Sequence, residues 1–133
     1  MSVCVLDTDV VIAALDRADA HHERATRALR RMIEDDVDLL LSLVNYAETL
    51  ARPAQSEQTM RAAVAAIEAM GVGLVAPTPS IAREAARLRG NGVSLADGFA
   101  IASARAHGGR LATYDRRVRR SLPAGVELAA GLD

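Results

Sequence analysis

Short aliphatic runs, rich in β-branched residues, alternate along this chain with longer segments whose apolar residues recur at helical spacing. Val3–Leu6 is the first such run, and Thr8–Leu15 after it turns helical. A helix follows over residues 21 to 35, with Ala25, Ala28, Leu29, Met32 and Ile33 on one face. DLLLS (Asp38–Ser42) reads as a second strand, and LVNYAETLAR after it as a helix stopped by Pro53. Met60, Val64, Ile67 and Met70 mark a further helix that ends at Gly71, and VGLVAP is a third strand. TPSIAREAARLRG runs as a helix from a Thr-Pro start to Gly90. Ser94 caps another helix, RLAT is a fourth strand, YDRRVRRSL a short basic helix, and GVELA a last strand at an edge. Strands joined by helical crossovers lie parallel. The pattern therefore predicts one α/β domain over residues 1–133, with helices on both faces of a central, mostly parallel sheet of four to five strands.

Composition narrows the function classes. Aromatic residues are only 2%, so the core must be built from Ala, Leu, Val and Ile, which suits closely packed helix-on-sheet layers. All 16 basic residues are Arg, and this excludes any chemistry that needs a Lys, including Schiff bases and phosphate-loop lysines. A net charge of −1 does not mark a nucleic-acid binder and does not forbid one, because local patches outweigh totals. Cys4 stands alone and cannot form an intramolecular disulfide, which suits a reducing compartment. The first apolar run carries two Asp and lacks a basic lead, so it is a poor signal peptide. No apolar run approaches the ~18 residues needed to span a bilayer. A cytoplasmic protein without a membrane segment is expected.

The acids fall where such a sheet gathers ligands, outside the carboxyl ends of its strands. Asp7 ends the first strand, Glu48 lies on the helix after the second, Asp97 in the first turn of the Ser94 helix, and Asp115 just after the fourth strand. Each has a purely structural alternative. Asp7 or Asp9 can cap the next helix, Glu48 can pair with Arg52, Asp97 can complete a capping box with Ser94, and Asp115 can cap the last helix. Together, four carboxylates with no Lys among them would repel one another unless a divalent cation intervened. Their all-oxygen donor set suits Mg²⁺ or Mn²⁺ rather than Zn²⁺. Such ions commonly act on phosphates, and Arg110, Arg116 and Arg117 are positioned along the chain to hold flanking phosphates, unless the arginine run is simply a solvated helix face.

With these residues in view, the sequence resembles a PIN domain, and specifically the VapC type of toxin ribonuclease from bacterial toxin–antitoxin pairs. The resemblance spans nearly the whole chain and rests on VLDTDVVIAAL, the Glu of YAETL, LADGFAIASARAHG and LATYDRR. It implies that Asp7, Glu48 and Asp97 are the principal metal-binding acids and Asp115 the fourth, more variable one. Thr113 matches the hydroxyl residue two before that acid, and Thr8 the usual Ser or Thr after the first Asp. The resemblance further implies Mg²⁺- or Mn²⁺-dependent cleavage of RNA, a homodimer, and a cognate antitoxin that blocks the site. Two positions depart from the pattern. Asp9 stands where Asn or Ser is commoner, as a fifth ligand, a support or a helix-terminus acid. Gly98 replaces a usual Ala, leaving room for close approach of a neighbour.

Two other functions fit parts of the sequence. LDTDVV also matches the D-x-D start of haloacid-dehalogenase-type phosphatases, with Asp7 as nucleophile, although the Lys those enzymes use is missing. A PIN-like domain can also bind RNA or a partner without cleaving, although such relatives usually lose acids. His21 and His22 are adjacent and cannot chelate as a helical pair, so both read as surface residues.

Overall fold

The computed structural model describes residues 2–133. In chain order the elements are β1 (Val3–Leu6), α1 (Thr8–Leu15), α2 (His22–Glu34), β2 (Asp38–Ser42), α3 (Leu43–Leu50), α4 (Glu57–Ala69), β3 (Gly73–Val75), α5 (Pro79–Arg89), α6 (Leu95–His107), β4 (Arg110–Ala112), α7 (Arg116–Arg120) and β5 (Glu127–Leu128). The strands form one five-stranded sheet in the order β3-β2-β1-β4-β5. Every neighbouring pair is parallel, including β4 with the edge strand β5.

The strand pleat sorts the core into two layers, because successive side chains point to opposite faces. Cys4, Leu6, Leu39 and Leu41 pack on one face with Val10, Val11, Leu29, Leu50 and Ile67 from the first four helices. Val5 and Leu111 point the other way, against Leu88, Ala100, Ile101, Ala104 and Val118. Both faces are thus covered, as parallel sheets require. The apolar face of α4 packs into the first layer: Ile67 is buried, while Met60, Val64 and Met70 lie partly buried against it.

Hydroxyl side chains start the helices. Ser42, Ser56, Thr78 and Ser94 accept from the backbone N–H of Val44, Thr59, Ile81 and Asp97 respectively. Pro53 does not merely stop α3. The helix closes at Leu50 and Pro53 opens a 3-10 turn over Pro53–Gln55. Two expectations need correction. Ile33 lies at the margin of the buried stripe of α2 and is 46% exposed. His21 and His22 are half-buried rather than free on the surface. The His21 ring stacks on Tyr114 at 4.1 Å, and His22 Nδ1 lies 2.7 Å from the Ala13 carbonyl oxygen.

Candidate functional site

Because all five strands run the same way, everything that follows a strand lies on one rim. The strand order reverses direction at β1, whose two neighbours are β2 and β4. The crevice at such a switch point is where open α/β sheets hold ligands. Asp7 sits there as the last rung of the β1–β4 ladder, its backbone N–H donating to the Ala112 carbonyl at 2.9 Å.

Asp7 is 1% exposed. Its Oδ1 accepts from the Thr8 backbone N–H at 2.9 Å, and its Oδ2 accepts from the Thr113 hydroxyl at 2.8 Å. Burial pushes its carboxyl well above the usual carboxylate range, and the charges of Asp9 and Asp97 push it further. The bonds from Thr113 and Thr8 oppose them.

Asp97 is half-buried in the first turn of α6. Burial raises its carboxyl. The Ser94 bond opposes that, the charges of Asp115 and Glu48 add to it, and the Asp7 side chain lowers it again. Glu48 lies exposed on α3 and reaches the group through its charge. Asp115 spends Oδ1 on capping α7, accepting from the N–H groups of Arg117 at 2.8 Å and Val118 at 3.1 Å. The cap expected of Asp115 and its place beside Asp97 therefore coexist. No ion pair among the described residues joins Glu48 to Arg52.

Asp9 shares the field of the rim acids but is tied to the backbone. Its Oδ2 accepts from the Tyr114 N–H at 3.0 Å, tying α1 to the loop that carries Thr113 and Asp115. Its Oδ1 is buried without a partner, and burial lifts the carboxyl to about 6. Thr113 links the same segments, since its hydroxyl also accepts from the Asp115 N–H at 3.1 Å. As the side chains lie, no three His, Cys, Asp or Glu among the described residues are close enough to hold a metal ion. The acids share one field without closing into a cage.

The arginines divide. Arg116 and Arg117 are exposed at the start of α7, directly after Asp115. Arg110 is at the wrong end for a phosphate contact. It begins β4, so parallel geometry puts it on the amino rim, where it is half-buried and donates to Ser2 Oγ. Arg119 donates to the Thr113 carbonyl at 3.3 Å and pairs with Asp133 at 3.1 Å, bracing the same loop.

One residue that carries the site's architecture is absent from the sequence expectations. Asn45, in the first turn of α3, is fully buried. Its Nδ2 donates to Thr8 Oγ1 at 3.0 Å and to the Ala96 carbonyl at 3.1 Å. The available signal was a lone Asn in a helix's first turn, one turn before Glu48.

Gly98 has the role its lack of a side chain suggested. A Cβ there would stand 3.0 Å from the Ala85 carbonyl oxygen and 3.2 Å from Ala85 Cα. Beside the rim, a groove of about 910 Å³ opens between α1, α3 and α4, lined in part by Ile12, Leu15, Glu48, Arg52, Pro53 and Ala63.

Among solved structures, VapBC2 of Rickettsia felis bound to a promoter DNA fragment is similar, with a TM-score of 0.75 and 14% identity, over 96% of this chain and 97% of that one. VapC20 of Mycobacterium tuberculosis, described as a sarcin–ricin loop cleaving toxin, is similar at a TM-score of 0.70 and 17% identity, over 92% of this chain and 98% of that one. FitAcB of Neisseria gonorrhoeae is similar at 0.68 and 23% identity, over 94% and 95%. A comparison with curated protein sequences finds no significant match. The sequence model of the PIN domain matches residues 4–121, a span that holds β1, all four rim acids and α6, and the chain therefore belongs to the PIN-domain family.

Proposed function

We propose that this PIN domain is a divalent-metal-dependent endoribonuclease of the VapC toxin type, held in check by a cognate antitoxin chain. The observation that carries the reading is Asp7. It is a buried carboxylate, in no ion pair among the described residues, at the rim where the charge of Asp97 bears on it. Burial of a charge without a partner is costly, so such a site is built to receive a cation.

The residues present fit Mg²⁺ or Mn²⁺. The donors are all carboxylate oxygens, and their mutual repulsion is what a divalent ion relieves. Asp7, Glu48, Asp97 and Asp115 would hold the ion. When bound, it polarises the scissile phosphodiester and activates water for attack. The chain's own groups prepare that chemistry. Thr113 and the Thr8 N–H fix both oxygens of Asp7. Ser94 fixes the helix turn that presents Asp97. Asp9 holds the Tyr114 backbone, and with it the loop that brings Asp115 to the rim. Arg116 and Arg117, exposed next to Asp115, supply positive charge for phosphates flanking the cut.

RNA as substrate is supported by the likeness to VapC20, and an antitoxin partner by the toxin–antitoxin assemblies in which similar chains were crystallised. The groove that runs to Glu48, apolar along Ile12, Leu15 and Ala63, supports a place for that partner. A homodimer belongs to the same reading.

The test is cleavage of total cellular RNA by purified, antitoxin-free protein with Mg²⁺ or Mn²⁺, with EDTA, and beside Asp97→Asn. Discrete fragments that need metal and vanish in the variant are expected. Absence of cleavage under every condition would overturn the ribonuclease reading and leave a binding module in its place.

A further inference from the structure

We propose that Asn45 is the positioning residue that sets the geometry of the metal site, by pinning together the three segments that deliver Asp7, Glu48 and Asp97. The inference rests on the metal-site reading above.

Asn45 lies at the one point where these segments meet. Its own helix, α3, carries Glu48 one turn later. Its amide donates to the hydroxyl of Thr8, the residue after Asp7 whose backbone N–H binds Asp7 Oδ1. The second amide hydrogen goes to the carbonyl of Ala96, the residue before Asp97. One planar group thus bonds to the immediate neighbours of two carboxylates and shares a helix with a third. The sequence separations are large, 37 residues to Thr8 and 51 to Ala96, so no local structure enforces this arrangement.

The energetics argue against a merely structural role. Asn45 is fully buried, yet its Oδ1 has no hydrogen-bond partner. A buried acceptor left unsatisfied costs free energy, whereas an apolar residue of the same shape can be neutral or stabilising there. Of the two acceptors it serves, the Ala96 carbonyl, inside α6, also accepts from the backbone one turn on, while the buried Thr8 hydroxyl has Asn45 as its partner. Replacing both Asn45 and Thr8 by apolar residues, Leu and Val, leaves no buried group stranded, so stability alone favours that pair. What Leu cannot supply is a directional link with two donors at fixed angles. Carboxylates that repel one another need such outside restraint to stay where an ion can bridge them, and supports of this kind commonly govern metal affinity.

The experiment titrates Mn²⁺ into metal-free protein by calorimetry, for the wild type, Asn45→Leu, Thr8→Val, the double variant of these two, and Asp97→Asn, with melting temperatures measured without metal. RNA cleavage is recorded in parallel. Asn45→Leu is expected to bind Mn²⁺ roughly 10–100-fold more weakly. Thr8→Val removes the acceptor end of the same bond and is expected to weaken Mn²⁺ binding, with the double variant losing less than the sum of the two, as for one shared interaction, and melting at or above the wild-type temperature. Mn²⁺ affinity within twofold of wild type in Asn45→Leu would overturn the proposal. Should Asn45→Leu not fold, wild-type affinity in Thr8→Val would overturn it instead. If the wild type binds no Mn²⁺ and Asp97→Asn changes nothing, the metal-site reading fails, and this proposal with it.

Discussion

The Thr113 hydroxyl donates to Asp7 Oδ2 at 2.8 Å across 106 residues of sequence, and its Oγ1 also accepts from the Asp115 N–H. A single side chain therefore couples the acid at the end of β1 to the acid that starts α7. Thr113→Val should retain the packing and lose both bonds. Cleavage and Mn²⁺ affinity are expected to fall roughly 10–100-fold. Thr113→Ser, which keeps the hydroxyl, should restore most of both. Equal activity in all three proteins would show that the bridge is incidental.

The charge of Asp97 bears on Asp7, and Asp97 in turn feels the charges of Asp115 and Glu48, so removing its charge acts on the whole group. Asp97→Asn is expected to reduce metal-dependent cleavage by about a hundredfold or more, as loss of a charge-stabilising group does. The metal-free variant should melt at the wild-type temperature or higher, because a repulsion has been removed. A lower melting temperature would mean that the carboxylate is structural.

The metal-free protein should gain stability as pH falls from 7 toward 5. The folded state lifts Asp9 to about 6, above its ordinary 3.8, and raises Asp7 in the same direction. A carboxyl that binds its proton more tightly when folded imposes no penalty below its unfolded pKa. The penalty then grows as pH rises through the interval and is complete above the folded value. For Asp9 the interval is about 4 to 6 and the full effect at most ~3 kcal/mol, taking 1.36 kcal/mol per unit. Denaturant titrations at pH 5 and 7 in EDTA measure it. Millimolar Mg²⁺ should flatten the slope, because a bound cation favours the ionised forms that low pH removes. A slope of the opposite sign in EDTA would contradict the burial of these acids.

Gly98 lies against Ala85, with 3.0 Å between the position of a Cβ and a backbone oxygen that cannot move freely. In most helices Gly→Ala adds up to about 1 kcal/mol. Here overpacking, at roughly 1–3 kcal/mol, should win. Gly98→Ala is expected to lower the melting temperature by a few degrees and, by shifting the turn that carries Asp97, to lower cleavage. Because the clash is with the Ala85 backbone, Ala85→Gly should not rescue the variant. A melting temperature at or above wild type in Gly98→Ala would overturn the steric account.

Much of this was present in the linear pattern. Strand and helix alternate because residues such as Val5 and Leu111 need two-sided burial, while stripes such as Ala25, Ala28 and Leu29 need burial on one side. Both are local periodicities. Ser94 and Thr78 announce their helices through short-range hydrogen bonding, which a sequence displays directly. Asp7, Glu48 and Asp115 could be gathered on one rim because a parallel sheet turns position after a strand into position in space, whereas Asp97 follows a helix and is marked only by the helix start at Ser94. The same rule places Arg110 on the opposite rim, since it starts its strand.

Tertiary structure decided what depends on contact at a distance. The Asn45 bonds to Thr8 and Ala96, the Asp9 bond to the Tyr114 backbone, and the His21 ring stacked on Tyr114 all join segments far apart in sequence. No periodicity encodes a hydrogen bond between two loops, because its geometry exists only once the sheet has set their spacing. The acids themselves were legible from the chain. Which of them is buried, which caps a helix, and which polar side chain holds their supports in register became determinate only when the layers closed.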